Sequence, residues 1–271
     1  MSCETKLELP MPPCEKPRVG TRQIWSALPE ICATLRVAAP AQSDATFQHI
    51  LLKAGQRLNV TGSPFSRLYI VNGGFLKTLL FDDNGNEQVL GFPMKGDVLG
   101  IDAIGQQHHT VEARTLSDCD LIIVPFRQIT LIEREVPGME QVISGVISRE
   151  LVAKQKMIGM LSALPAEARV ARFLLGLSER YGLIGFARNE FTLQMSRRDI
   201  GSHLALAPET ISRILNAFKS LDLIDLHGKR VRILDGAALD KLRRFTPSSL
   251  QLVAGTRRRS NFTSAGTAAH C

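Results

Sequence analysis

Residues 202–224 read SHLALAPETISRILNAFKSLDLI, with two short helical segments on either side of Ala207-Pro208. The second opens on Glu209, Thr210, Ser212 and Arg213. Its apolar residues, Ile211, Ile214, Leu215 and Phe218, recur at helical spacing and form an inner stripe. Upstream, Ser196-Arg197-Arg198-Asp199 makes a loose capping box for the first segment. Downstream, Leu226-His227-Gly228-Lys229 and Arg230 to Leu234 fit a tight turn between two strands. Helix, turn, helix and basic β-turn make a winged helix-turn-helix pattern. In that arrangement the first turn of the second helix meets base edges in the DNA major groove, which accounts for the polar start.

The residue types suit base reading. Arg213 can donate two hydrogen bonds to guanine O6 and N7, and Glu209 can accept from the cytosine amine, so together they can read one G·C pair. Ser212 stands beside them for a neighbouring base. Thr210, Ser196, Arg197, His227 and Lys229 are the expected phosphate contacts. The alternative for Glu209 and Arg213 is a surface ion pair at i, i+4, worth well under ~1 kcal/mol.

Working outward, Val142, Ile143, Val146, Ile147, Leu151, Met157, Ile158, Leu161 and Leu164 trace a helical stripe of about 25 residues after Pro137-Gly138. One small β-domain cannot cover so long a stripe, so a second copy of the chain is the simplest partner. The expected seam is Ile143, Ile147, Glu150, Leu151, Lys154, Ile158 and Leu161, with Glu150 and Lys154 in the favourable i, i+4 order. A core helix of a monomer is the alternative. Further upstream, short apolar runs punctuated by Ala54-Gly55, Gly73-Gly74, Asn84-Gly85 and Lys95-Gly96-Asp97 predict a β-sandwich or barrel. Asp83-Asn84-Gly85-Asn86 predicts a hairpin.

The expected organisation is α+β. A flexible leader spans 1–45, with a short helix near Trp25 to Leu35, and a β-roll spans 46–136. The long helix covers 137–164, the winged helix-turn-helix 165–245 and a disordered basic tail 246–271. The net charge is +7, and nine Lys or Arg against two Asp lie between His227 and Ser260. That surplus points to nucleic acid before a membrane surface, with a solvated basic tail as the bland alternative. No apolar run reaches membrane-spanning length and no export signal is recognisable, so the expected location is the cytoplasm, away from membranes. The five cysteines, at 3, 14, 32, 119 and 271, lack zinc-ligand spacing. No nucleophile elbow, phosphate loop or carboxylate cluster suggests an enzyme.

From about Ile50 to Leu242 the chain resembles the CRP/FNR family of bacterial transcription regulators. The resemblance is carried by ETISRILNAF, KAGQRL, GDVLGIDAIG and the HGK wing. GDVLGIDAIGQQHH is closer to the FNR/FixK side than to cyclic-AMP receptors. The resemblance implies a β-roll of the cyclic-nucleotide-binding type (a jelly roll), a dimer helix and a winged helix that binds a palindrome. FNR-type recognition helices carry E, S and R where this chain has Glu209, Ser212 and Arg213, which implies TTGAT half-sites. The hairpin matching Asp82, Asp83, Asn84, Gly85, Asn86 and Glu87 touches RNA polymerase in the family's activators.

Two departures concern the signal. Cyclic-AMP receptors hold the phosphate with a Glu and an Arg, where this chain has Ile101 and, near the Arg position, His108 or His109. A buried phosphate without a guanidinium is poorly stabilised. The FNR 4Fe–4S cluster takes three closely spaced leader cysteines and one β-roll cysteine. Matching on VPF puts Ile122 at the β-roll position, with Cys119 three residues away on the opposite strand face. Matching Cys32 to the last leader ligand puts Gln23 and Ser26 at the others. Such clusters need thiolates, so no cofactor is expected. A gas or redox regulator is the alternative, with haem near His108-His109, a rearranged cluster, or a reactive thiol at Cys32 or Cys119. A third departure is Ala207, where relatives often place a capping hydroxyl; Pro208 at the first helical position compensates in part.

Overall fold

The computed structural model of the chain describes residues 18–23, 46–126 and 139–242. The expected helix near Trp25 to Leu35, the tail beyond 246, and Cys3, Cys14, Cys32 and Cys271 lie outside them.

Two sheets build the N-terminal half. One runs β1 (Arg18–Gln23), β2 (Thr46–Leu52), β9 (Cys119–Pro125), β4 (Arg67–Gly73) and β7 (Val98–Leu99). The other runs β3 (Arg57–Asn59), β8 (Glu112–Thr115), β5 (Leu76–Phe81) and β6 (Glu87–Gly91). β1 corrects the expected leader: Arg18–Gln23 is not irregular but pairs antiparallel with β2, Gly20 opposite His49. Without it β2 would be an open edge with unpaired backbone groups. A partner set by long-range pairing leaves little mark on local composition.

Strand alternation explains the unbroken apolar run Leu121 to Val124. Leu121 and Ile123 face the other sheet, together with Tyr69, Val71 and Cys119, and meet Leu76 of β5 there. Ile122 and Val124 face outward with Leu68 and Ile70, against Val142 and Val146 of the long helix α1 (Met139–Ala163). At β9 the sheet is buried on both faces, so the run from Leu121 to Val124 is apolar without a break.

The C-terminal half comprises α2 (Ala166–Leu183), β10 (Glu190–Thr192), α3 (Arg197–Leu204), α4 (Pro208–Ser220), β11 (Ile224–His227), β12 (Arg230–Ile233) and α5 (Gly236–Leu242). β10, β12 and β11 form the wing sheet. One core joins the halves. Leu79, Val89, Phe92 and Met94 from the β-roll share it with Leu174, Leu204, Ile211 and Phe218. Full burial of such side chains stabilises by roughly 1.5–3 kcal/mol each, so this seam holds the halves together.

Candidate nucleic-acid interface

The turn between α3 and α4 is set by close backbone packing. A Cβ on Gly201 would stand 2.5 Å from the Leu206 carbonyl oxygen, and the Leu206 N–H donates to the Gly201 carbonyl at 2.9 Å. Ala205 takes the left-handed conformation, φ 53°. α4 starts after Ala207, which offers no side-chain cap, with Pro208 in its first turn. Ile211, Ile214, Leu215 and Phe218 are buried as the inner stripe.

Glu209 and Arg213 are both exposed on the opposite face. No ion pair joins them among the described residues, so the surface-pair alternative is not what the geometry shows. Ser212 is half-buried, and its hydroxyl donates to the Pro208 carbonyl at 3.1 Å. It is left as an acceptor toward DNA. Thr210 is half-buried at the helix N-terminus, where free backbone N–H groups favour phosphate.

Four expected phosphate contacts also have partners within the chain. Ser196 closes a capping box: its Oγ accepts from the Asp199 N–H at 3.1 Å and donates to Asp199 Oδ2 at 2.7 Å. Arg197 donates through Nη2 to the Gly228 carbonyl at 3.1 Å, tying α3 to the wing tip. Both therefore shape the site in addition to standing where a phosphate contact is expected. At the wing, Gly228 has φ 59°. Exposed His227 lies 3.2 Å from Asp225, and Lys229 Nζ reaches the Gln194 carbonyl at 3.3 Å. Sequence reasoning missed Glu190, whose carboxyl receives Arg230 and Arg232 across the wing sheet. Hydrogen bonding from Arg230 holds that carboxyl below its ordinary range. It also missed Arg198, exposed in the first turn of α3 with no hydrogen bond or ion pair among the described residues. Only the sheet pairing reveals the first, and its place beside the capping box was the available signal for the second.

Along α1, Ile147, Leu151 and Ile158 are exposed, Ile158 at 68%. Exposed Lys154 lies 3.8 Å from Glu150. Leu161, expected in the seam, is half-buried against the helix-turn-helix core of its own chain. Ile143 likewise packs on the β-roll. A straight stripe on a wheel cannot show that the two ends of α1 are used by two halves of one chain.

The hairpin between β5 and β6 is exposed from Asp82 to Glu87. Asp82 Oδ1 accepts the N–H groups of Asn84 and Asn86 at 2.9 and 2.8 Å, and Gly85 supplies φ 79°. The Asn86 side chain leads the hydrogen bonds that hold the Asp82 carboxyl low. Glu87, at the end of this surface, is also ion-paired, with Arg114 at 3.1 Å and Lys77 at 3.8 Å.

In the β-roll, Asp102 Oδ2 accepts from Thr110 N at 2.9 Å, Thr110 Oγ1 at 3.2 Å and Val111 N at 3.2 Å. One carboxylate thus fills the backbone donors of this loop. His109 is buried against Phe65, while His108 is exposed, so the pair does not converge on one point. Cys119 is buried between the sheets, and its single S–H is shared between the carbonyls of Phe75 and Ser117. Burial pushes its thiol up to about 11. That corrects Cys119 as a candidate redox thiol, because the thiolate is the reactive form. Buried between the two sheets, it does not fit a cluster ligand reaching the leader, and Ile122 faces α1 instead. Cys32 lies outside the described residues.

The cyclic nucleotide-binding domain pattern matches residues 50–132, and the Crp-like helix-turn-helix domain pattern matches residues 168–242. The transcriptional activator protein Anr of Pseudomonas protegens is 37% identical over 68% of this chain and 75% of its own. The fumarate and nitrate reduction regulatory protein of Escherichia coli is 36% identical over 70% of this chain and 76% of its own. Among solved structures, FixK2 from Bradyrhizobium japonicum matches with a TM-score of 0.66 at 22% identity, over 73% of this chain and 98% of that one.

Proposed function

Because the chain belongs to the CRP/FNR family of transcription regulators, on its FNR-like branch, we propose that it activates transcription as a homodimer on inverted repeats of TTGAT-like half-sites, without a 4Fe–4S cluster. DNA binding through the helix-turn-helix and a regulatory, non-enzymatic role come with the family. The observation that carries the finer reading is the first two turns of α4, where Glu209 and Arg213 stand exposed, with no partner among the described residues, above a fully packed inner stripe. A guanidinium and a carboxylate one turn apart can take the guanine and cytosine of one pair.

Two copies joined along Ile147, Leu151 and Ile158 would present two such turns about one helical turn of DNA apart. Asp82 to Asn86, exposed and held by the Asp82 hydrogen bonds, would be offered to RNA polymerase. Asp102 satisfies the loop donors that a cyclic phosphate would otherwise need, which supports a β-roll without cyclic AMP. Buried Cys119 supports the absence of the cluster. The test combines light scattering with gel shifts on a TTGAT inverted repeat and a scrambled duplex. A dimer with a strong preference for the repeat is expected. A persistent monomer, or equal binding to both duplexes, overturns the reading. Anaerobic purification with iron and sulfide assays tests the cofactor: a stoichiometric cluster would contradict it.

A further inference from the structure

We propose that Lys77, in the sensor sheet, is a positioning residue for DNA reading: with Ser202 it clamps α3 so that α4 is held at a fixed angle to the dimer helix. The proposal rests on the homodimer reading above.

Strand alternation puts Lys77 and Leu79 of β5, and Glu87 and Val89 of β6, on the outer face of their sheet. Leu79 and Val89 enter the core shared with the helix-turn-helix unit. Lys77 Nζ lies 2.7 Å from Asp199 Oδ1, with the two side chains only 12% and 13% exposed. The other oxygen of that carboxylate accepts the Ser196 N–H at 3.0 Å and its hydroxyl at 2.7 Å. One group therefore both starts α3 and receives the ammonium of the sensor. Burial pushes the Asp199 carboxyl up, and the hydrogen bonds from Lys77 and Ser196 outweigh it and hold it low.

Ser202 lies three residues on, on the same helix face. Its Oγ accepts the Val89 N–H at 2.9 Å and donates to the Glu87 carbonyl at 3.4 Å, and Gln88 Nε2 donates to its carbonyl. β6 is the edge of its sheet, so these backbone groups lack a neighbouring strand, and α3 supplies the partners. The same β-roll is bound to α1 through Val142 and Val146, and through Arg149 to Asp97 at 3.3 Å.

Apolar contact holds the halves together but has no preferred direction. Hydrogen bonds do, so the angle of α3 is set at Asp199 and Ser202. A single half-site can be read at any angle. Two half-sites on one duplex demand a fixed separation.

The test measures affinity of the full chain for three duplexes: the inverted repeat, the same repeat with its spacer lengthened by one base pair, and a single half-site. Lys77→Met is expected to weaken the native repeat roughly tenfold by leaving Asp199 without its cation. It should leave the single half-site within about twofold and flatten the spacer preference. Lys77→Arg should restore both. Ser202→Ala removes the second contact without a buried charge, and is expected to flatten the spacer preference in the same sense. Unchanged spacer preference in both variants overturns the proposal, as does equal loss on the half-site and the repeat. A native chain that shows no preference for the repeat removes the dimer reading itself, and the proposal with it.

Discussion

Arg213 stands exposed with no partner among the described residues, so its donors are available to a base from the start. Arg213→Ala should cost ~1–3 kcal/mol per half-site and relax the choice at the G·C pair. Competition against duplexes substituted at that pair is the measurement, and a uniform loss on every sequence would contradict base reading. Ala205 holds a conformation that glycine adopts without strain. Ala205→Gly should therefore stabilise the chain by about 0.5–1 kcal/mol despite the added entropy of the unfolded state. Urea unfolding reads this directly, and a lower midpoint would show that the turn is unstrained.

At the level of elements, α3 carries a second feature besides its clamp. His203 sits between the rings of Phe92 and Phe173, at 5.1 and 5.9 Å. Burial lowers its pKa from 6.5 to about 4; the Val89 backbone opposes this, and Lys154 and Arg180 add to it. The folded state thus binds fewer protons than the unfolded state between pH 6.5 and about 4. Stability is full above that window and is lost as pH falls through it, by about 1 kcal/mol at pH 5.5. Melting curves against pH should show this slope in the native chain and a flatter one in His203→Phe. Identical slopes would place the acid sensitivity elsewhere.

For the whole molecule, α1 makes different demands along its length. Val142 and Val146 serve the β-roll, and Met160 and Leu161 serve the helix-turn-helix core. Leu151, 59% exposed, lies on the face that neither half covers. Leu151→Asp should yield a folded monomer that no longer prefers inverted repeats. Sedimentation at several concentrations checks it, and an intact dimer would move the interface off this face.

The inner and outer faces of α4, the length of α1, the capping box at Ser196 and the opposed facing of Cys119 and Ile122 were all legible in the chain. Each depends on periodicity or on groups a few residues apart, and local backbone geometry enforces such patterns wherever they occur. The strand at Arg18–Gln23, the Glu190 clamp on Arg230 and Arg232, the covered end of α1 at Leu161 and the Lys77–Asp199 contact were decided only by the fold. Lys77 and Asp199 stand 122 positions apart. Their residue types would suit any exposed surface, and only the packing of the β-roll on the helix-turn-helix unit brings them together out of water.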